Sequence, residues 1–272
     1  MKQKILLFSF SLSLLCFGAH AQFGKGGKSD ALKIKQLLLV VVLDEGSTPY
    51  NKAITYAMNT YWKFSAFKFI YPREMFEYCK DGYVLMSKYS VKQHARKSYL
   101  AIVYPDKKKC EWDNLEMQVY AFTSYQPENI GAQSIRAVQF MQNYLNDVID
   151  KNMGGGFKSL CKKCNEEREL IKKNTLYISG SEMVDGISDE ELIVKYYNHD
   201  FKIINLDDIN EAIIQSKENF VYTLLVMEPT GDYYCLAVRA KDARIIYCDH
   251  VSYTAETIDI GFRKGQFAAM SK

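Results

Sequence analysis

The chain has few of the residues that most often carry chemistry. It contains 4 His in 272 residues. Three of them, His94, His199 and His250, lie beyond the N-terminal segment, and none stands in H-x-x-x-H or H-x-x-E-H spacing. Clustered metal ligands are therefore absent from the pattern. There is no G-x-S-x-G, P-loop or G-x-G-x-x-G, so neither a nucleophile elbow nor a phosphate cradle is indicated. Excess charge of one sign is also lacking. The formal net charge is +3, and Lys2 and Lys4 supply two of those charges. Near-neutrality argues against a nucleic-acid footprint. Lys107-Lys108-Lys109 and Lys162-Lys163 are short and read as solvated faces. After the N-terminal run, no apolar stretch approaches the roughly 18 residues of a spanning helix.

What is present begins with an export signal. Met1-Lys2-Gln3-Lys4 is positive, Ile5 to Phe17 is apolar, and Ala19-His20-Ala21 is a small-x-small site. This is the n-region, h-region and cleavage site of a secretory signal peptide over residues 1–21, with cleavage expected after Ala21. Cys16 follows Leu14-Leu15 and lacks the small neighbour a lipidation site needs. The mature chain is expected in a periplasm or outside the cell, without a transmembrane segment. About 250 residues remain, enough for one large domain or two small ones.

The rest of the chain alternates strands and helices. Leu37 to Leu43 is continuously apolar and β-branched in its middle, as in a buried strand. Thr48 is placed to cap the next helix and Pro49 suits its first turn. Ala53, Ile54, Ala57 and Met58 give that helix its stripe, to about Lys63. Phe67–Ile70 reads as a strand, Pro72 to Lys80 as a short helix, and Tyr83–Ser87, Tyr99–Tyr104 and Leu115–Thr123 as strands. An amphipathic helix follows from about Ile130 to Ile149, with Ile135, Val138, Phe140, Met141, Leu145 and Val148 apolar.

The second half retraces this order. Thr175–Ser179 is a strand, and Ser188-Asp189-Glu190-Glu191 opens a helix as a capping box. Phe201–Ile204 is a strand and Leu206–Ser216 a helix. Phe220–Met227, Tyr233–Arg239 and Arg244–Cys248 are strands, and a last helix is expected from about Ile258 to Met270. Residues agree as well as order. Phe67-Lys68-Phe69-Ile70 matches Phe201-Lys202-Ile203-Ile204, Ser124-Tyr125 matches Ser252-Tyr253, and Gln139-Phe140 matches Gln266-Phe267. An internal duplication follows. The fold class is α/β (α+β), with two similar tandem units, each a mixed sheet in the order β-α-β-α-β-β-β-α. The first unit covers residues 22–152 and the second 175–272. Residues 153–174 hold a glycine-rich linker and a connecting helix. Gly154-Gly155-Gly156 reads as a hinge, because consecutive glycines hold a helix poorly.

The opening of each unit resembles the small α/β domains of the bacterial cell envelope, namely the TolB N-terminal domain and the curli-secretion and penicillin-binding-protein-activator families. Leu38 to Asp44, Tyr50 to Trp62 and Phe67 to Tyr78 carry the likeness in unit one. It covers about half of each unit and is a pattern of elements with no diagnostic motif. The tandem copies and the closing meanders depart from those families. The resemblance implies a non-catalytic domain that binds protein partners.

Six cysteines follow the signal: Cys79, Cys110, Cys161, Cys164, Cys235 and Cys248. Export permits disulfides. Cys161 and Cys164 form a C-x-x-C that reads as a local disulfide or two free thiols; the alternative is a thiol–disulfide oxidoreductase. Cys235 and Cys248 flank a hairpin tipped by Ala240-Lys241-Asp242-Ala243. A two-residue loop, Lys241-Asp242, would set them opposite each other and suit a cross-strand disulfide. A one-residue change in loop length would send the sulfurs to opposite faces. Asp44-Glu45, and Glu182 in unit two, fall at the carboxyl ends of buried strands, where α/β sites often sit. They read more readily as caps or loop residues. Tyr83, Tyr89, Tyr99, Tyr104, Tyr120 and Tyr125 would suit a carbohydrate-binding module if exposed, and sheet packing if not. No catalytic, cofactor-binding or metal-ligating residue is assigned and no cofactor is implied. The reading is an exported, non-enzymatic protein that binds a protein partner in the bacterial cell envelope.

Overall fold

The computed structural model describes residues 27–90, 98–105, 119–125, 128–153, 156–184, 187, 189–227, 232–252 and 259–272. The expected signal peptide, residues 1–21, lies outside them, as do Gly154 and Gly155. Among the described residues no helix is long and apolar enough to cross a membrane.

The first unit runs α1 (Lys28–Gln36), β1 (Leu38–Val42), α2 (Pro49–Tyr61), β2 (Phe67–Ile70), a 3-10 helix at Pro72–Tyr78, β3 (Tyr83–Ser90), β4 (Ser98–Val103), β5 (Val119–Tyr125) and α3 (Ile130–Asp150). The continuous apolar run Leu39–Val42 is buried because β1 lies inside the sheet, parallel to β2 on one side and β3 on the other. Thr48 caps α2, its hydroxyl accepting from the Asn51 N–H at 3.2 Å, with Pro49 in the first turn. Tyr50, Ile54, Ala57 and Met58 turn inward. The helix α1 was not expected. Its signals are weak: Asp30 in the first turn, Lys33 and Lys35 in the last, and Ala31 and Ile34 as buried contacts.

Two helices, α4 (Phe157–Cys164) and α5 (Glu169–Lys172), connect the units. The second unit then runs β6 (Thr175–Ser179), α6 (Glu190–Val194), β7 (Phe201–Ile204), α7 (Leu206–Ile214), β8 (Phe220–Met227), β9 (Tyr233–Arg239), β10 (Ile245–Val251) and α8 (Lys264–Ser271). The capping oxygen of α6 belongs to Asp189, which accepts from the Glu191 N–H at 2.9 Å. The last helix starts later than expected. Ahead of it Phe262 bridges Met183, and a Cβ on Gly261 would stand 2.8 Å from the Glu182 carbonyl. Gly261 therefore lies ahead of the last helix, whereas Gly131 is inside α3.

The duplication is visible in the topology. The strand order is β2-β1-β3-β4-β5 in one sheet and β7-β6-β8-β9-β10 in the other. In both, the first three are parallel and the last two antiparallel. Register repeats too: Leu39 pairs with Phe67 as Leu176 pairs with Phe201.

The two units share one apolar layer. One hydrophobic cluster runs from the first sheet through α2 and α3 to α7 and one face of the second sheet, taking in Ile209, Tyr222, Leu236 and Val238. A second cluster, with Ile193, Phe262, Phe267 and Met270, covers only the other face of that sheet. The reason is α3. It reads as amphipathic, yet Ala132 through Met141 are all buried, including Gln133, Ser134, Arg136 and Gln139. Its polar side meets the second unit. Gln139 and Asn143 donate to the Lys241 and Asp242 carbonyls at 3.1 and 2.8 Å, and Asn129 donates to Asp207 at 3.1 Å. Either side of the glycines the chain is held: Met153 is buried, and the Gly156 N–H donates to the Tyr144 hydroxyl.

Candidate functional site

The cysteines pair differently from either expected arrangement. Cys161 is bonded to Cys248, and Cys164 and Cys235 are free and buried. Cys79 is disulfide-bonded as well. The tip of the hairpin keeps the two-residue register, since Arg239 N–H donates to the Arg244 carbonyl and Ile245 pairs with Val238. A β-bulge between Ile245 and Tyr247 then slips the pairing by one, so that Cys235 faces Asp249. Cys235 and Cys248 thus fall in different core clusters on opposite faces. Cys248 instead meets α4, where Asn165 clamps its backbone with two 3.0 Å hydrogen bonds. Cys164 closes the C-terminal end of α4, where the helix dipole opposes a thiolate, and burial pushes its thiol up to about 12. A redox dithiol needs the opposite placement.

The carboxyl ends of the parallel strands are occupied by structural contacts. Asp44 is ion-paired with Lys88 at 2.6 Å, and the Lys88 ammonium lies 4.3 Å from the centre of the Tyr50 ring. Asn51 ties this loop together through the Asp44 N–H and the Asp44 and Gly46 carbonyls. In unit two, Glu182 accepts from the Leu225 N–H at 3.1 Å, where β8 extends beyond β6. Its other oxygen has no partner. Burial raises this carboxyl to about 7, against the pull of Arg136.

The histidines are scattered. His250 pairs with Asp232 at 3.2 Å and His199 bonds the Ser271 carbonyl, while His94 lies outside the described residues. No metal-ligating group of three occurs among the described residues. Most strand tyrosines are core. Tyr99, Tyr120 and Tyr125 are buried, Tyr83 and Tyr104 half-buried, and the Tyr89 side chain lies outside the described residues. They do not make an open sugar platform.

The surface with open valence is the outer edge of β2. The Leu39 N–H donates to the Ala66 carbonyl and the Leu43 N–H to that of Ile70. Strand groups alternate, so the N–H and C=O of Phe67 and Phe69 point away from β1. No other described strand pairs with this edge. The Phe67 and Phe69 rings meet edge to face at 5.5 Å and are half-buried. Phe76, on the 3-10 helix that follows β2, is 75% exposed, the largest apolar exposure among the described residues. Lys68 lies 4.5 Å from the centre of the Tyr78 ring. The same edge recurs on β7, where the Leu176 N–H bonds the Asp200 carbonyl and leaves Phe201 and Ile203 facing out. Sequence reasoning used these strands as evidence of duplication and missed them as a surface. The available signal was an aromatic pair two residues apart followed by an unmatched Phe76. Set against known protein families, characterised proteins and solved structures, the chain matches none.

Proposed function

We propose that this is an exported, non-catalytic protein that binds a protein partner of the bacterial cell envelope by accepting a partner strand on an open sheet edge. The observation that carries this reading is the outer edge of β2, where the Phe67 and Phe69 backbone groups face out; the exposed Phe76 follows in the next helical segment of the chain. Main-chain hydrogen bonds would give affinity and the aromatic side chains selectivity. The β7 edge supplies a second, similar place in the same chain. The satisfied Asp44 and the buried Cys164 support binding over catalysis.

The test is capture from an envelope extract with crosslinking, repeated with Phe69→Pro and Phe76→Ser. Proline at an outward-facing edge position removes a free N–H while sparing the ladder. Both variants are expected to lose the captured species, Phe76→Ser with little change in melting temperature and Phe69→Pro with a drop from the loss of a ring packed on Phe67 and the core. Retained capture by both removes the β2 edge from the proposal. No crosslinked partner of the native protein removes the partner itself.

A further inference from the structure

Three cysteines gather where the connecting helix lies against the last strand. Cys161 is bonded to Cys248, and Cys164 follows Cys161 by about one turn of α4. Helix geometry puts the Cα atoms of Cys161 and Cys164 about 5 Å apart, within the range a disulfide spans. Side chains three apart are neighbours on one helix face. All three cysteines are buried in the same apolar cluster. Asn165, the next residue along, holds Cys248 through both of its backbone groups at 3.0 Å. Cys161 thus has two partners within reach, and one of them is a thiol. Cys235, the other free cysteine among the described residues, lies in the other cluster.

In the closed protein this thiol is quiet. Burial pushes Cys164 from its ordinary 9.0 up to about 12, with Asp147 and Glu167 adding to the rise and Lys151 and Arg244 opposing it. That rise cuts the thiolate, the species that attacks a disulfide, about a thousandfold. What keeps it so is the seating of α4. The helix has eight residues, and its N-cap Gly156 offers no side chain to cap it. It is too short to stand alone. Its hold is tertiary: packing on β10, the Asn165 clamp, and the ion pairs of Arg244 and Lys151 with Glu167 just beyond it. Such a segment opens before the sheets do. Once it is loose, joining neighbours on one turn costs less chain entropy than closing a loop of 87 residues.

We propose that Cys164 is an internal exchange thiol that moves the disulfide from Cys161–Cys248 to Cys161–Cys164 when α4 loosens, releasing the last strand from the connecting helix. The Cys164 sulfur attacks that of Cys161. The Cys161–Cys164 bond forms as the Cys161–Cys248 bond breaks, and Cys248 leaves as a thiolate that takes up the proton Cys164 gave away. No electrons enter or leave, so the step needs no outside oxidant or reductant. The test is incubation of the protein at about pH 8 without added thiol, in urea from zero to just below global unfolding. Acid quench and non-reducing peptide mapping follow. Cys161–Cys248 is expected alone in buffer. In urea, Cys161–Cys164 with a free Cys248 should appear before the global transition and revert on dilution. The exchange rate should climb by up to about a thousandfold over that range, as the thiolate recovers. Cys235→Ser should exchange as the native protein does, and Cys164→Ser should keep Cys161–Cys248 throughout; should that variant fail to fold, Cys164→Ala carries the control. Exchange that starts only with global unfolding, or a Cys248 freed as readily without Cys164, overturns the proposal.

Discussion

Replacing Glu182 by glutamine isolates the cost of one buried charge. The carboxyl is raised from its ordinary 4.5 to about 7 by burial. One pKa unit corresponds to about 1.4 kcal/mol, so ionising this group in the folded state costs about 3 kcal/mol more than in the unfolded chain. The sign follows from proton binding. Through the window between those values the folded protein holds a proton that the unfolded chain has released, so stability falls as pH rises and levels off above it. The groups facing the carboxyl are Arg136 from α3, Tyr222, Thr223 and Leu225 from β8, and the Cys235 thiol from β9. Glutamine keeps an oxygen for the Leu225 N–H and cannot ionise. Urea unfolding of the native protein and Glu182→Gln should give near-equal stability at about pH 5. The variant should be more stable by about 3 kcal/mol at about pH 8.5. Parallel stability curves across that range would refute the account of the buried carboxyl.

Other expectations are direct. Non-reducing peptide mapping should recover Cys161 joined to Cys248, and Cys248→Ser should cost on the order of 4 kcal/mol, because the bond closes a loop of 87 residues. Alkylation of Cys164 and Cys235 should be slow in the native protein and fast in denaturant; rapid native labelling of Cys164 would contradict its burial and raised pKa. Arg244 forks onto Glu167, whose carboxyl it holds below the usual range. That stabilisation is present above the ordinary carboxylate range and lost as pH falls. Arg244→Met should therefore cost about 1 kcal/mol near neutrality, given the pair's partial exposure, and less in acid. Equal losses at both pH values would show that packing, not charge, is at stake.

Much of the fold was legible because its strands are short, apolar and written twice. The match of Phe67–Ile70 to Phe201–Ile204 is borne out by the same parallel pairing, in the same register, with the first strand of each unit. What escaped depends on partners distant in sequence. Periodicity reports which side of α3 is apolar, but not that a second sheet covers the polar side. Residue counting reached the hairpin tip correctly and failed at the bulge before Tyr247, since a bulge has no composition signal comparable to a turn's. Cys161–Cys248 could not be reached from either local pattern, because it joins the connecting helix to the last strand. The β2 edge was half legible: its aromatics were plain, its outward valence was not.

One helix serving two sheets makes the halves unequal. The first copy owns α3 and keeps its own cover when considered alone. The second copy borrows that cover: without α3, the face bearing Tyr222, Leu236 and Val238 would lose its middle layer. A duplication that began with interchangeable copies has thus ended in a leader and a dependant. The order of synthesis suits this arrangement, because the helix that shelters the second sheet leaves the ribosome before any of that sheet's strands.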